Sequence, residues 1–89
     1  MSPDSALAWL LSATLSRRSD DLVTAQQQIE RAASLDPTDP AIGLEAGLIA
    51  ALSGRDEAAR ASWRSVLELA PGTAAAQAAQ SYLDQLGGA

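Results

Sequence analysis

The sequence predicts an all-α protein in which about five helices pack as antiparallel hairpins. Three observations lead to this prediction. Twenty of the 89 residues are alanine, the best helix former, and the β-branched residues that strands favour are few. Proline and glycine divide the chain into segments of helical length. The connections between these segments are short, so consecutive helices are expected to lie side by side.

The first helix is expected to begin at Ser2-Pro3-Asp4. Ser2 is a suitable N-cap, Pro3 fits the first helical position, and the carboxylate of Asp4 is favourable at the positive end of the helix dipole. The helix is expected to end near Arg17 and Arg18, because cations are favourable at the negative end.

The second helix is expected to begin at Ser19-Asp20-Asp21, with Ser19 as its cap and both acids near its positive end. It carries apolar residues at helical spacing as far as Leu35. Pro37 ends it, because a residue that precedes proline is pushed out of the helical conformation.

The remaining three helices have similar start and stop signals. Aspartate followed by proline starts the third, a Ser-Gly pair ends it, and a Pro-Gly pair ends the fourth. A threonine cap starts the fifth, and a Gly-Gly pair follows it. The predicted spans are Asp39-Pro40 to Leu52, Arg55-Asp56 to Leu69, and Ala74 to Leu86 after the cap Thr73.

The sequence has an internal repeat. When the chain is shifted along itself so that Leu10 falls on Leu44, the second helix and its stop align with the fourth helix and its stop. We call this shift the repeat offset. The number of identical residues is close to what chance gives in a chain rich in alanine and leucine. Their location is more informative, because three of them fall on the second helix and its stop, in the order Ala, Leu, Pro. Between residues 6–39 and 40–73 the identical pairs are Leu10 with Leu44, Ser19 with Ser53, Ala25 with Ala59, Leu35 with Leu69, and Pro37 with Pro71.

These features resemble the tetratricopeptide repeat, a helical hairpin whose length equals the repeat offset. The chain departs from the pattern at Gly43, Val66, Ser12 and Ser16. The matching residues are Trp9, Ala13, Ala25, Ile29, Ala32 and Asp36-Pro37 in the first repeat, and Gly47, Ala59, Trp63 and Leu69 to Pro71 in the second. The resemblance implies one domain over 1–89, a short right-handed solenoid with repeat one at 6–39, repeat two at 40–73 and a capping helix at 74–86.

The resemblance also implies where a partner binds, since ligands of the family usually lie on the concave face formed by the first helix of each repeat. Transfer of those positions gives Leu7, Leu10, Thr14, Arg17, Arg18, Leu44, Glu45, Leu48 and Ala51 as partner-binding residues, with Leu11, Ala41 and Leu52 beside them. Some members of the family bind a terminal carboxylate through a set of Lys, Asn and Arg. This chain lacks that set. Leu10, Leu44 and Leu48 are expected to make this face apolar.

The charge balance limits the class of partner. The chain has 11 acidic and 6 basic residues, a net charge of −5 and no lysine, which disfavours nucleic acids and anionic membrane surfaces. No apolar run approaches the roughly 20 residues that span a bilayer, so no membrane insertion is expected. A cytoplasmic location is favoured for the chain as given, and a periplasmic or membrane-tethered parent protein stays open.

Catalysis, cofactors and metals are not expected. The chain has no His or Cys, which removes the commonest base, the commonest metal ligand and any thiolate site. The acidic pairs Asp20-Asp21 and Asp56-Glu57 are interpreted as charges at helix N-termini. Ser2, Ser19 and Thr73 are interpreted as caps, and Asp36 and Asp39 as turn residues with too few oxygen ligands for calcium.

The leading functional prediction is a protein-interaction module that binds an apolar peptide, a helix or a second copy of itself through the concave face. The alternative is a structural end of a longer repeat array, with no ligand of its own. Weak self-association through Leu7, Leu10, Leu11 and Thr14 is expected at high concentration, because their helical spacing places several of them on one face. An arginine-only, alanine-rich sequence also suggests a bacterial origin, by association alone.

Overall fold

Five α-helices follow one another along residues 5–87, the part of the chain that the computed structural model describes. The helices are α1 (Ala6–Arg18), α2 (Leu22–Leu35), α3 (Pro40–Leu52), α4 (Asp56–Leu69) and α5 (Ala74–Gly87). No strand occurs within this range. Each helix packs mainly on its neighbours in sequence, α1 on α2 and α3 on α4, with α5 packed on α4. The predicted all-α class is therefore confirmed.

Local capping explains two helix starts that agree with the sequence prediction. Asp39 caps α3, and its carboxylate accepts a hydrogen bond from the backbone N–H of Ala41 at 2.9 Å. Thr73 lies at the start of α5, where its hydroxyl accepts from the backbone N–H of Ala76 at 3.2 Å. Pro40 occupies the first helical position of α3, where its missing N–H has no intrahelical partner to lose.

The predicted start of the first helix is wrong. Helix α1 begins at Ala6, and Ser5 is its N-cap, because the Ser5 hydroxyl accepts from the backbone N–H of Ala8 at 3.2 Å. The backbone of Ser5 is extended, as an N-cap requires. Ser2 and Pro3, the predicted cap and first helical residue, lie outside the described residues.

The predicted cap of the second helix is also wrong. Ser19 ends α1 as its C-cap, whereas Asp21 begins α2 by accepting from the backbone N–H of Thr24 at 3.3 Å. Asp20 lies between them with φ = 63°, a left-handed conformation that aspartate tolerates better than most residues. Gly54, its counterpart at the repeat offset, has φ = 78° in the turn between α3 and α4.

The hydrogen bonds of the backbone at helix ends recur at the repeat offset. The first hairpin and the second hairpin therefore share one turn geometry, and α3 and α5 begin after similar connections. The donor–acceptor pairs are Ser19–Leu15 with Ser53–Ile49 (both 3.0 Å), Asp21–Ser16 with Arg55–Ala50 (both 2.8 Å), and Asp36–Ala32 (2.9 Å) with Ala70–Val66 (3.0 Å).

The core forms two layers, one under each hairpin. The first lies between the α1–α2 hairpin and α3, and the second lies between the α3–α4 hairpin and α5. The buried members of the first layer are Ala13, Ala25, Ile29, Ala32, Ile42 and Ile49, and those of the second are Ala50, Ala59, Trp63, Val66 and Ala79. At the repeat offset, positions 25, 29 and 32 of α2 correspond to positions 59, 63 and 66 of α4. The two helices therefore bury equivalent positions of the repeat.

Small residues set the distance between the helices of each hairpin. Ala13, Ala25 and Ala59 have no exposed surface. At Gly47 an added Cβ would overlap the indole ring of Trp63. Because α3 has no side chain at this point, the large ring of α4 lies directly against its backbone.

We expect Ala59→Leu to destabilise the fold by about 1–3 kcal/mol, because the larger side chain at a fully buried position forces its neighbours apart. The neighbouring variant Ala58→Leu is the matched control, since Ala58 is exposed on the same helix. Urea unfolding monitored by circular dichroism measures both. Equal midpoints for the two variants would contradict the packing described here.

Candidate functional site

A shallow groove of about 440 Å³ opens between α3 and α5. We call it the α3–α5 groove. Helix α3 contributes one wall and α5 the other, with pairs of lining residues that correspond at the repeat offset. The lining side chains are Leu48, Ala51 and Leu52 from α3, Tyr82, Gln85 and Leu86 from α5, Trp63 from α4 and Arg17 from α1.

Trp63 and Tyr82 are fixed at the groove. The indole Nε1–H of Trp63 donates to the backbone carbonyl of Leu44 at 3.3 Å, and the Trp63 and Tyr82 rings lie 5.1 Å apart at 32°. Trp63 is buried, while Tyr82 is half-buried. The ring pair therefore gives the groove a rigid apolar wall, and Leu52 beside it is 59% exposed.

A charge cluster ties α1 to α3 at the edge of this groove. Both oxygens of Glu45 are occupied: Arg17 donates through Nε to Oε2 and through Nη2 to Oε1 at 3.2 Å, and the Thr14 hydroxyl donates to Oε1 at 2.8 Å. The side chains of Arg17 and Glu45 are 20% and 8% exposed. The cluster therefore holds α1, the first helix of the first hairpin, against α3.

The hydrogen bonds to the Glu45 carboxylate offset the free-energy cost of burying its charge. A buried charge without partners costs several kcal/mol, whereas a fully hydrogen-bonded pair roughly balances the cost of its desolvation. Within residues 5–87, no buried side-chain nitrogen or oxygen lacks a hydrogen-bond partner. Glu45 therefore has a structural role, since both its carboxylate oxygens are already bonded within the chain. Its predicted role in partner binding stays a prediction.

The structure brings together only some of the predicted partner-binding residues. Arg17, Leu48 and Ala51 line the α3–α5 groove together with Leu52. Leu44 and Leu10 are half-buried against the core, and Thr14 is bonded to Glu45. Arg18 and Ala41 are exposed outside the groove lining.

Of the residues Leu7, Leu10, Leu11 and Thr14, several of which were expected to share one face, only Leu7 and Leu11 are exposed together. Leu7 and Leu11 are exposed together with Leu15, whereas Leu10 and Thr14 face the core and α3. We call Leu7, Leu11 and Leu15 the α1 stripe. Their regular spacing, one helical turn apart, places them in one row along the helix.

Four residues of the groove lining are absent from the predicted partner-binding set, namely Trp63, Tyr82, Gln85 and Leu86. The signal was present, because the repeat offset continues into α5 and aligns Tyr82 with Leu48 and Leu86 with Leu52. The sequence interpretation treated α5 as a closing helix alone. The structure shows that α5 also supplies one wall of the groove.

No cluster of metal-ligating residues is present in the described part of the chain, where no three His, Cys, Asp or Glu side chains converge. Of the acidic pairs considered above, Asp56 and Glu57 lie in the first turn of α4, where they face the positive end of the helix dipole. Among residues 5–87 no helix combines the length and the apolar character that crossing a membrane requires.

Comparison with known proteins gives no relative: no family model, no curated protein and no solved structure matches the chain significantly. The resemblance to the tetratricopeptide repeat therefore stays a prediction, which depends on the residues and the repeat offset described above.

We expect Arg17→Met to destabilise the fold by about 3 kcal/mol, because it leaves the buried carboxylate of Glu45 with Thr14 as its remaining partner. Glu45→Met should cost less, since the partly exposed Arg17 can turn toward water. The double variant Arg17→Met/Glu45→Met should recover most of the loss. Denaturant unfolding of the four proteins measures this cycle, and additive losses would contradict a coupled pair.

Proposed function

We propose that the chain is a protein-interaction module that binds an apolar segment of a partner protein in the α3–α5 groove. The observation that carries this proposal is an open groove with largely apolar walls beside a rigid aromatic pair. Clustered apolar groups at a surface commonly mark a site of protein association, and aromatic residues often contribute most of the binding energy there.

The geometry of the groove favours side chains of the aliphatic or aromatic class. Leu52 is the exposed leucine of the lining, and Leu86 lies across the groove at the corresponding position of α5. Ala51 is small and leaves space between the two walls. A segment that inserts apolar side chains here removes leucine surface from water, and each fully buried leucine contributes about 1.5–3 kcal/mol.

The charges near the groove limit the flanks of the partner segment. Arg17 is the charged residue in its lining, and its guanidinium is already paired with Glu45. The chain as a whole carries a net charge of −5, so acidic flanks would be repelled. The proposed partner is therefore an apolar segment with neutral or basic flanks.

A second candidate function has its own supporting observation. The α1 stripe is an apolar surface on the first described helix, and α1 makes no packing contact with α5. A hairpin stacked on this face would make the chain the end of a longer helical array, in which it serves as a structural unit. This candidate does not require a ligand in the groove.

Selection from a random peptide library against the full chain tests the groove proposal. We expect the selected peptides to be rich in leucine and aromatic residues and poor in aspartate and glutamate. Leu52→Glu should lower their affinity at least about tenfold, because it places a charge in the middle of the apolar lining. Fluorescence polarisation with labelled peptides measures the affinity.

Two matched variants distinguish the groove from other surfaces. Val23→Glu introduces the same charge at an exposed apolar position of α2, and Leu11→Glu introduces it in the α1 stripe. Both should leave the affinity unchanged. Peptides that are insensitive to Leu52→Glu, or that lose affinity with Leu11→Glu instead, would contradict a binding site in the groove.

A further inference from the structure

A second cavity lies toward the N-terminal end of α3, whereas the α3–α5 groove lies at its C-terminal end. The cavity has a volume of about 300 Å³ and opens between the end of α2, the beginning of α3 and the later turns of α4. We call it the Gly43 hollow. Most of its lining side chains are small, namely Ala33, Gly43, Ala46, Ala61, Ser62 and Ser65.

The corresponding positions of the first hairpin carry large side chains. At the repeat offset, four aromatic or long residues of the first hairpin are replaced by glycine, alanine or serine in the second. The pairs are Trp9 with Gly43, Gln27 with Ala61, Gln28 with Ser62, and Arg31 with Ser65. Because the two hairpins share one turn geometry and bury equivalent positions, the loss of these four side chains accounts for the hollow.

The chain cannot fill this space from position 43. A Cβ at Gly43 would lie 2.7 Å from Cγ2 of Val66, which is closer than side chains pack. Val66 has no exposed surface, so its displacement would disturb the core. In the first hairpin the counterpart of Val66 is the smaller Ala32, and Trp9 packs half-buried on the first core layer. The second hairpin therefore lacks an aromatic ring that the first hairpin supplies itself.

Three polar groups lie in the lining of the hollow, those of Asp39, Ser62 and Ser65. One oxygen of the Asp39 carboxylate accepts from the backbone N–H of Ala41. Within residues 5–87, the other oxygen and the two serine hydroxyls make no hydrogen bond. A purely aliphatic ligand would remove these groups from water without replacing their hydrogen bonds, which costs free energy. A matching ligand therefore has an apolar body and a hydrogen-bond donor.

We propose that the Gly43 hollow binds the indole ring of a tryptophan carried by a partner protein. An indole combines a large apolar surface with a single N–H donor, which usually finds an acceptor when the ring is buried. Trp63 of this chain shows that arrangement, because its Nε1–H donates to the backbone carbonyl of Leu44. In the hollow, the Asp39 carboxylate and the serine hydroxyls are the acceptors available to such a donor.

A second copy of the chain does not supply this ring. Trp9, Trp63 and Tyr82 are all the aromatic residues of the chain, and each packs on its core. The partner is therefore a different protein. The inference does not depend on what binds the α3–α5 groove, because the two sites have no lining residue in common.

A titration of the ¹⁵N-labelled full chain with N-acetyl-L-tryptophanamide tests the proposal, since this probe carries the indole on a neutral unit of backbone. We expect saturable amide shift changes around Gly43, Ser62 and Ser65, with a Kd on the order of 1 mM. N-acetyl-L-leucinamide should cause no such changes. Methylation of the indole nitrogen should weaken binding about fivefold, because it removes the donor.

Variants that fill the hollow assign the site. Ala61→Gln and Ser65→Gln place long neutral side chains at exposed positions of α4, where glutamine is a good helix former, so both are expected to fold. Each should weaken binding, and the two together should weaken it about tenfold or more. Ala58→Gln is the matched control, because Ala58 is exposed on the same helix outside the lining, and it should leave binding unchanged.

Four results would overturn the proposal. They are the absence of saturable changes up to about 10 mM probe, unweakened binding to the filled variants, tighter binding of free L-tryptophan than of the amide, and shift changes confined to the α3–α5 groove. Tighter binding of the free amino acid would indicate a small-molecule ligand in place of a protein. Changes confined to the α3–α5 groove would leave the groove proposal intact.

Discussion

The indole ring of Trp63 lies against the backbone of α3, and the arrangement of the last three helices depends on this contact. Gly47 provides the space for the ring, and the Leu44 carbonyl fixes its orientation through a hydrogen bond of 3.3 Å. The ring pair with Tyr82 then joins α5 to the same point, with centroids 5.1 Å apart. The side chain of Trp63 therefore determines how closely α3 packs on α4 and where α5 packs. It also forms the inner wall of the α3–α5 groove.

The same stacking is repeated along the chain with different residues, and the differences explain its two surfaces. In the first layer Ile29 takes the place of Trp63, and the Arg17–Glu45 pair contributes to the contact between α1 and α3. At the α5 end the outward side chains are polar, which is typical of a terminal helix in a stacked array. At the α1 end they are leucines. The same packing therefore leaves a polar surface on α5 and an apolar surface on α1.

Local signals predicted most of the fold, because caps and breakers act within a few residues. Pro37, Pro71, Asp39 and Thr73 mark helix ends that the structure reproduces closely. The site was harder to predict, since α1 is apolar on several sides and its sequence does not determine which leucines face the core. Leu10 and Leu11 are adjacent, yet only Leu11 is exposed. The burial of Glu45 depends on Arg17 of another helix, and no local pattern reports such a pair.

Gly47 and Trp63 bring α3 and α4 into direct contact, and Tyr82 completes this packing from α5. A nuclear Overhauser spectrum of the full chain tests it most directly, because the indole N–H of Trp63 gives a resolved signal. We expect cross-peaks from Trp63 ring protons to the α-protons of Gly47 and to the ring protons of Tyr82. A Trp63 side chain that shows cross-peaks to neither residue, or an indole N–H that exchanges with water as rapidly as an exposed one, would contradict it.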